Sequence, residues 1–414
     1  MAIVRSQSFA SVSVVRILVF NLHYSPNLGD GLIGACMVHA LGELVPDAAV
    51  VPVDISGRDR FGAVTVRNRA TLLKILRLFS KTFRRQIVYR RLNAMLDRIE
   101  PRWREAISGA DLAIIGGGQL FSDADLNFPT KIGRVAELLR DEGLPVAIHG
   151  TGVSRNWSRR GRVLFRRLAE ADLRSIGMRD EDSLKAWEDQ SGIFEPKAIL
   201  TRDPGLLAFE AFGPVAAVDR IALGVTSPVL LTYHADSGVA GRGGLGWFEA
   251  LALELVGQVG PVRLFCNGAE EDALALGELC ERPLIRQAIA DGRIECAPVP
   301  RNPEELVATV APCRAVISHR LHACILGYAY TRPVVGMGWD RKVQSFFSSV
   351  GLDRFFVGRT KTPPEEVAAL VQTALEQGID PDTHRCAIED TREGMRATLE
   401  ALQGAERFRV RERA

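Results

Sequence analysis

The segment from Ala315 to Lys342 carries the residue types best suited to chemistry. A short β-branched strand at its start is followed at once by Arg320 and His322, and after a helix-like run a second strand begins at Pro333. Ligands of parallel sheets bind beyond the carboxyl ends of strands, next to helix N-termini. Arg320, His322 and Lys342 follow two such strand ends, so we expect them to converge on a small dianion such as a phosphoryl group. The alternative is that Arg320 and His322 only satisfy buried backbone groups.

A polar loop follows the first predicted strand and leads into a glycine pattern. The glycines at 29, 31 and 34 match the dinucleotide-binding motif G-x-G-x-x-G, and an acid lies 20 residues further on. The loop before Gly29 is too long for the tight turn of that motif, and Asp30 would place a carboxylate beside the pyrophosphate. We therefore favour a cleft-facing loop of Asn27, Gly29 and Asp30, in which Asp30 faces hydroxyls or acts as a base. An equally good alternative makes Asp30 a helix N-cap.

Two further strand ends carry small or charged residues. The predicted strand 111–118 ends in glycines, and Gly117, Gly118 and Gln119 would let a ligand or a helix N-terminus approach the backbone closely. The predicted strand 174–180 ends in Arg179, directly before a helix. These ends predict that the N-terminal half contributes to the same cleft.

Strands alternate with helices along most of the chain, which predicts an α/β protein with two facing Rossmann-like domains and a cleft between them. We expect an N-terminal tail at 1–13, an N-terminal Rossmann-like domain at 14–212 and a C-terminal Rossmann-like domain at 213–385. A C-terminal helix and tail are expected at 386–414.

The composition is that of a globular protein. The 414 residues have a formal net charge of +2, 47% are hydrophobic, and no apolar run reaches membrane length. The N-terminus lacks a long apolar core, so we expect a cytoplasmic protein. The seven cysteines are scattered without a C-x-x-C pair, which argues against a disulfide framework and a zinc site, and we expect all seven to be buried thiols. We expect no metal, no cofactor and no nucleic-acid partner.

Residues 67–104 form a strongly basic stretch with twelve Arg or Lys against Asp97 and Glu100. Apolar residues recur there at helical spacing. Such a helix is either a solvated face or a docking surface for anionic lipid headgroups or a lipid-phosphate-linked substrate. If the helix is a docking surface, the protein would also contact the inner face of a membrane peripherally.

An ordered set of short motifs, spread over roughly residues 16–352, resembles the polysaccharide pyruvyl transferase family. The matching residues are Asn27-Leu28-Gly29-Asp30, Gly116-Gly117-Gly118, Arg179-Asp180 with Ser183, Asp203-Pro204, Ser318 with Arg320-Leu321-His322-Ala323, Pro333 and Lys342. Trp339 stands where tyrosine is more common in the family, and the basic stretch has no counterpart in its pattern.

The resemblance implies a GT-B-like fold of two facing Rossmann-like domains, with the acceptor on the side of 14–212 and phosphoenolpyruvate on the side of 213–385. It implies an enzyme that transfers the carboxyvinyl unit of phosphoenolpyruvate to a sugar, forming a pyruvate ketal. It implies that Arg179, Arg320, His322 and Lys342 bind phosphoenolpyruvate, with His322 also catalytic. We expect the acceptor to be a saccharide, free or lipid-linked, and its base to be Asp30 or His149. Two alternatives are a sugar-nucleotide-dependent glycosyltransferase of the same build and a non-catalytic assembly protein.

Overall fold

A computed structural model describes residues 14–62, 81–192, 194–228, 231, 244–338, 341–358 and 362–404. Several predictions lie outside these residues. They concern the tail at 1–13, the basic stretch from residue 67 to residue 80, Trp339 and the C-terminal tail from residue 405.

The described strands form two parallel six-stranded sheets. The first sheet contains β1 (Arg16–Asn21), β2 (Ala49–Asp54), β3 (Leu112–Gly116), β4 (Val146–Thr151), β5 (Leu173–Met178) and β6 (Ala198–Leu200) in the order β2-β1-β3-β4-β5-β6. The second contains β7 (Ile221–Gly224), β8 (Val262–Phe265), β9 (Ile294–Cys296), β10 (Ala315–Ser318), β11 (Val334–Met337) and β12 (Phe356–Val357) in the order β12-β11-β10-β7-β8-β9. Two Rossmann-like domains are therefore confirmed, whereas their exact boundaries stay a prediction.

Helices connect the strands and cover both sheets. Those of the N-terminal half are α1 (Leu28–Leu44), α2 (Lys81–Ile107), α3 (Asn127–Asp141), α4 (Arg159–Phe165), α5 (Glu181–Ser191) and α6 (Ala208–Phe212). Those of the C-terminal half are α7 (Gly244–Gln258), α8 (Glu270–Cys280), α9 (Pro283–Ala290), α10 (Pro303–Val310), α11 (Leu321–Ala329), α12 (Arg341–Ser349), α13 (Pro364–Gln377) and α14 (Pro381–Gln403).

The central strands form where the sequence predicts them because their β-branched and aliphatic residues are buried on both faces, as parallel sheets require. The short edge strands β6 and β12 are partly exposed and were not predicted. In β1, for example, Ile17, Leu18, Val19 and Phe20 are all fully buried. The amphipathic pattern predicts a helix from about Leu32 to Leu44, whereas α1 begins one turn earlier, at Leu28.

The early start of α1 decides between the two interpretations of Asp30. Asn27 is the N-cap, and Asp30 lies in the first turn of the helix. The interpretation of Asp30 as an N-cap is therefore wrong. A carboxylate in the first turn is still favoured by the helix dipole, because it lies beside unpaired backbone N–H groups.

Each sheet has one point where the strand order reverses direction, and ligands of open α/β sheets bind there. In the first sheet the reversal lies between β1 and β3, whose ends lead into Asn27 and Gly117. In the second sheet it lies between β7 and β10, and Arg320 follows β10. The topology therefore brings the loops with the predicted site residues to the cleft.

The last helix, α14, returns to the first sheet and packs on it. His149 Nδ1 on β4 lies 2.8 Å from Thr398 Oγ1, and Arg174 Nη1 on β5 donates to the backbone oxygen of Leu402 at 3.1 Å. Burial lowers the pKa of His149 to about 4. His149 is fully buried and does not line the cleft described below, so its position gives no support to a role as acceptor base.

The prediction that all seven cysteines are buried thiols is wrong for three of them. Cys280, at the end of α8, forms a disulfide bond with Cys296 of β9, and Cys386 is exposed. The two bonded residues are 16 positions apart, but α9 folds the chain back between them and brings their Cα atoms to 6.5 Å. The spacing alone gave no sign of this return. Among the described residues, no helix combines the length and apolar character needed to cross a membrane.

Candidate active site

A small cavity of about 40 Å³ lies between the two domains, at the carboxyl ends of both sheets. Its lining residues are Asn27, Asp30, Gln119, Arg179, Asn267, Arg320, Leu321, His322 and Lys342. Four come from the N-terminal half and five from the C-terminal half, so the site exists only when the two halves face each other.

Helix N-termini surround the cavity. Asn27 caps α1, Arg320 caps α11, and Lys342 lies in the first turn of α12. Each of these residues lies at the positive end of a helix dipole. Together with two arginines and a lysine, these ends make the cavity a site for a small anion with more than one negative charge.

Arg179 is held by a network of the first domain. Its Nε donates to Asp180 Oδ2 at 3.0 Å and its Nη2 donates to Gln119 Oε1 at 2.6 Å. Its Nη1 makes no hydrogen bond with any described residue and lies 3.6 Å from Asp203 Oδ2. Asp180 also caps α5 by accepting from the backbone N–H of Ser183. The guanidinium is thus fixed by Asp180 and Gln119, with its Nη1 buried beside Asp203.

His322 lies on the first turn of α11, against the backbone of α1. A Cβ atom added to Gly29 would lie 2.5 Å from the Cβ atom of His322, so only glycine leaves room for the imidazole there. His322 Nδ1 lies 3.9 Å from Asp30 Oδ1, and His322 Nε2 has no hydrogen-bond partner among the described residues. The close contact of the two helices therefore fixes the ring with one nitrogen toward an acid.

The electrostatics of the cavity act in opposite directions on its histidine and its acid. Burial lowers the pKa of His322 well below its usual value, and Arg179, Lys342 and Arg320 lower it further. Burial raises the pKa of Asp30, against the opposing effects of Ser25 and Lys342. The imidazole is therefore neutral near pH 7, and a bound anion would raise its pKa by offsetting the cations.

The G-x-G-x-x-G glycines serve packing within the protein. Beside the contact of Gly29 with His322, a Cβ atom on Gly31 would lie 2.9 Å from the ring of Phe61, and one on Gly34 would lie 2.6 Å from Asn21 Nδ2. The space that a pyrophosphate would use in a dinucleotide-binding protein is filled by these side chains. These contacts argue against a dinucleotide site. The expected cleft-facing loop is wrong as well, because Gly29 and Asp30 lie in the first turn of α1 and only Asn27 precedes the helix.

The structure brings most of the predicted site residues together. Arg179, Arg320, His322, Lys342, Asn27, Asp30 and Gln119 all line the cavity. The three predicted glycines lie behind this layer: Gly29 touches His322, Gly117 adopts φ +74° against Ile33, and Gly118 adopts φ +68° beside Asp30. Gln119, predicted on the acceptor side, also holds Arg179.

Asn267 is a lining residue that the sequence analysis missed. It follows β8 at the carboxyl edge of the second sheet, which was the available signal. No group of three His, Cys, Asp or Glu among the described residues is placed to hold a metal ion.

Solved structures with a similar fold include two UDP-N-acetylglucosamine 2-epimerases. UDP-GlcNAc 2-epimerase from Methanocaldococcus jannaschii, in complex with UDP-GlcNAc and UDP, has a TM-score of 0.54 at 11% identity, over 94% of this chain and 99% of that chain. UDP-N-acetylglucosamine 2-epimerase from Rickettsia bellii has a TM-score of 0.52 at 9% identity, over 94% and 97%. At such identities the likeness shows the fold alone.

A comparison with curated proteins found no match. The family model described as polysaccharide pyruvyl transferase matches residues 27–341, which include the loops after β1, β3, β5, β8 and β10. The match covers more than half of the chain and all but the last of the cavity-lining residues. The chain belongs to the polysaccharide pyruvyl transferase family.

Proposed function

We propose that this protein moves the pyruvyl unit of phosphoenolpyruvate onto sugar hydroxyls of a polysaccharide or its precursor, forming a pyruvate ketal and releasing phosphate. The observation that carries the proposal is the set of three cationic side chains, Arg179, Arg320 and Lys342, around one interdomain cavity with His322 among them. Phosphoenolpyruvate has a phosphate and a carboxylate on adjacent positions of a three-carbon unit. Arginines bind such oxyanions in a bidentate fork, and lysine adds a point charge.

In the proposed reaction, His322 donates a proton to the methylene carbon of phosphoenolpyruvate. The C3–H bond forms, C2 becomes electrophilic, and an acceptor hydroxyl adds to C2 and loses its proton to a base. The C2–O bond to phosphate then breaks, and phosphate leaves with its electron pair. A neighbouring hydroxyl adds to C2, loses its proton and closes the ketal. The cations stabilise the departing phosphate.

Asp30 is the proposed base. It lies beside His322, on the face of the cavity formed by the first domain, where Asn27 and Gln119 also lie. The acceptor would enter from this side and the donor would lie on the second domain. Proton transfer by a positioned side chain is typically worth ~10²–10⁴ in rate.

The deciding experiment measures phosphate release from phosphoenolpyruvate against a panel of saccharide acceptors. Thermal-shift measurements with phosphoenolpyruvate and with UDP or GDP sugars run beside it. Acceptor-dependent phosphate release supports the proposal. Stabilisation by a nucleotide sugar but not by phosphoenolpyruvate would favour a glycosyltransferase.

Donor binding is expected to take up a proton at His322. The free imidazole has a lowered pKa because of burial and the three cations, and a bound dianion offsets those cations. The complex therefore keeps the proton to a higher pH than the free protein. On this account the contribution of His322 to affinity falls as pH rises between its free and bound pKa values, by at most about tenfold per pH unit.

Titration calorimetry near neutral pH, in two buffers with different ionisation enthalpies, measures this proton uptake. The uptake should disappear in H322Q. Asp30 faces the same donor and its pKa is raised by burial, so D30N is measured in parallel. Uptake that persists in H322Q and is lost in D30N would contradict the assignment to His322.

We further propose that an arginine-rich face docks the protein on anionic lipid. Helix α2 buries Leu96, Trp103 and Ile107 and exposes Arg90 and Arg91. Helix α4 lies beside it, since the guanidinium of Arg160 stacks 3.8 Å above the ring of Tyr89. Exposed Arg159 and Arg162 extend the charge across α4. A positive face on two adjacent helices suits lipid phosphates, and with them a lipid-linked acceptor.

Vesicle sedimentation tests this surface. Binding to vesicles rich in phosphatidylglycerol is expected, with little binding to phosphatidylcholine. R90E/R91E should weaken it by at least about 30-fold at low salt, since each basic residue near such a surface contributes ~1 kcal/mol and the two together ~2 kcal/mol. The control R286E/R385E makes the same charge change on exposed residues of α9 and α14. Equal binding by both double variants and the unmodified protein would exclude this face.

A further inference from the structure

The turn after β8 contains a polar side chain buried without partners. Asn267 is 1% exposed, it lines the cavity, and neither its Oδ1 nor its Nδ2 forms a hydrogen bond with any described residue. Its backbone is held in place, because its carbonyl oxygen accepts from Leu28 N at 3.0 Å. Buried amides are nearly always hydrogen-bonded, because desolvating an unpaired one costs ~1–3 kcal/mol. An amide kept in this state at the wall of a site is placed for a ligand.

The same turn supplies a buried carboxylate. Asp272, in the first turn of α8, is fully buried, and its Oδ2 accepts from both Arg320 Nε at 2.9 Å and Arg320 Nη2 at 2.6 Å. Its Oδ1 accepts from Ser227 N at 2.8 Å. Because these contacts fix the carboxylate on its own domain, it sets the direction in which the guanidinium of Arg320 reaches the cavity.

Glycine makes the turn possible. Gly268 adopts φ +87°, and a Cβ atom there would lie 2.8 Å from the Leu28 side chain. The turn therefore packs directly on the start of α1, across the domain boundary. This contact places Asn267 opposite the first-domain wall of the cavity.

We propose that the segment from Asn267 to Asp272 is a donor-binding element of this site, in which Asn267 hydrogen-bonds an oxyanion of the donor and Asp272 positions Arg320. The inference rests on the proposed function and extends it to two residues outside the set of cations and His322. Asn267 contacts the donor itself, whereas Asp272 acts through Arg320 and is a positioning residue.

N267A tests the binding role with phosphoenolpyruvate and, separately, inorganic phosphate as probes. The dissociation constant for phosphoenolpyruvate should rise about tenfold, the effect of losing one hydrogen bond to a charged group. The melting temperature without ligand should stay equal or increase, because the variant removes a buried unpaired amide. A structural asparagine would give the reverse, a lower melting temperature with unchanged affinity, and that result would overturn the proposal.

D272N tests the positioning role. The KM for phosphoenolpyruvate should rise at least tenfold while kcat changes by less than threefold. The variant weakens the contacts that orient the guanidinium of Arg320 and leaves His322 in place. The matched control is E249Q, since Glu249 Oε2 also accepts from Arg282 Nε and Nη2, each at 2.7 Å, in the same domain but away from the cavity. Equal KM values in D272N and E249Q would overturn the positioning role.

Failure of this inference is distinguishable from failure of the proposed function. If the unmodified protein releases phosphate from phosphoenolpyruvate and N267A has the same affinity, the turn is not a donor-binding element. If the unmodified protein neither binds nor consumes phosphoenolpyruvate, the proposed function fails and the inference falls with it. Tighter binding of a nucleotide sugar, lost in N267A, would keep Asn267 as a ligand-binding residue and overturn the assignment of the donor.

Discussion

H322A should reduce phosphate release from phosphoenolpyruvate by about 10²–10⁴-fold in the presence of acceptor, the usual contribution of a positioned general acid. The three cations of the cavity remain in the variant, so donor affinity should fall far less than turnover. His322 lies at the meeting point of α1 and α11, and its Nε2 has no partner among the described residues. The measurement is steady-state phosphate release with calorimetric donor binding.

The control for H322A is H384Q. His384 is half-buried on α14 and lies 3.0 Å from the backbone oxygen of Tyr328, outside the cavity. It should retain full turnover. H322A with normal turnover would end the proposed mechanism, and a circular-dichroism melt of both variants shows whether a loss of turnover comes from unfolding.

G29A should lower turnover by about 10²-fold, although Gly29 contacts the donor in no step of the mechanism. An added Cβ atom would lie 2.5 Å and 2.7 Å from Cβ and Cγ of His322, distances that real contacts do not reach, so the imidazole must move. A displacement of about 1 Å from the reactive geometry can cost ~10²-fold in rate. The kcat of purified G29A measures the effect.

Another glycine of the same helix provides the control. A Cβ atom on Gly42 meets no atom within 4 Å, so G42A should keep wild-type kcat and stabilise the protein by ~0.5–1 kcal/mol through helix propensity. G29A with wild-type kcat would show that the packing of α1 against His322 is not what sets the position of the imidazole.

The sequence was sufficient to predict the cations and the sheet edges at which they lie. Arg179, Arg320 and Lys342 follow strands, and in parallel sheets all strand ends of one domain share an edge. Their common cavity follows from this rule and from two facing domains. Asn267 also follows a strand and lies at the same sheet edge, but a single amide after a strand is too common to be predicted as a site residue.

Other features depend on contacts between residues far apart in the chain, which no local pattern contains. Gly29 lies 293 positions before His322, so its tight contact could not be read from a motif, and the glycine pattern instead suggested a dinucleotide. The Cys280–Cys296 bond depends on how α9 folds back. Helix α14 was predicted as a helix, but its amphipathic pattern did not indicate which sheet it would cover.

The position of α14 has a consequence for the order in which the protein folds during synthesis. The second sheet is built from one continuous stretch, from Ile221 to Val357, whereas the first sheet needs residues 381–403 to cover His149 and its neighbours. Domains generally fold as they leave the ribosome, N-terminal part first. Here the N-terminal half is translated first, but its sheet stays partly uncovered until residues 381–403 emerge. The second sheet, although translated later, can therefore be completed before the first.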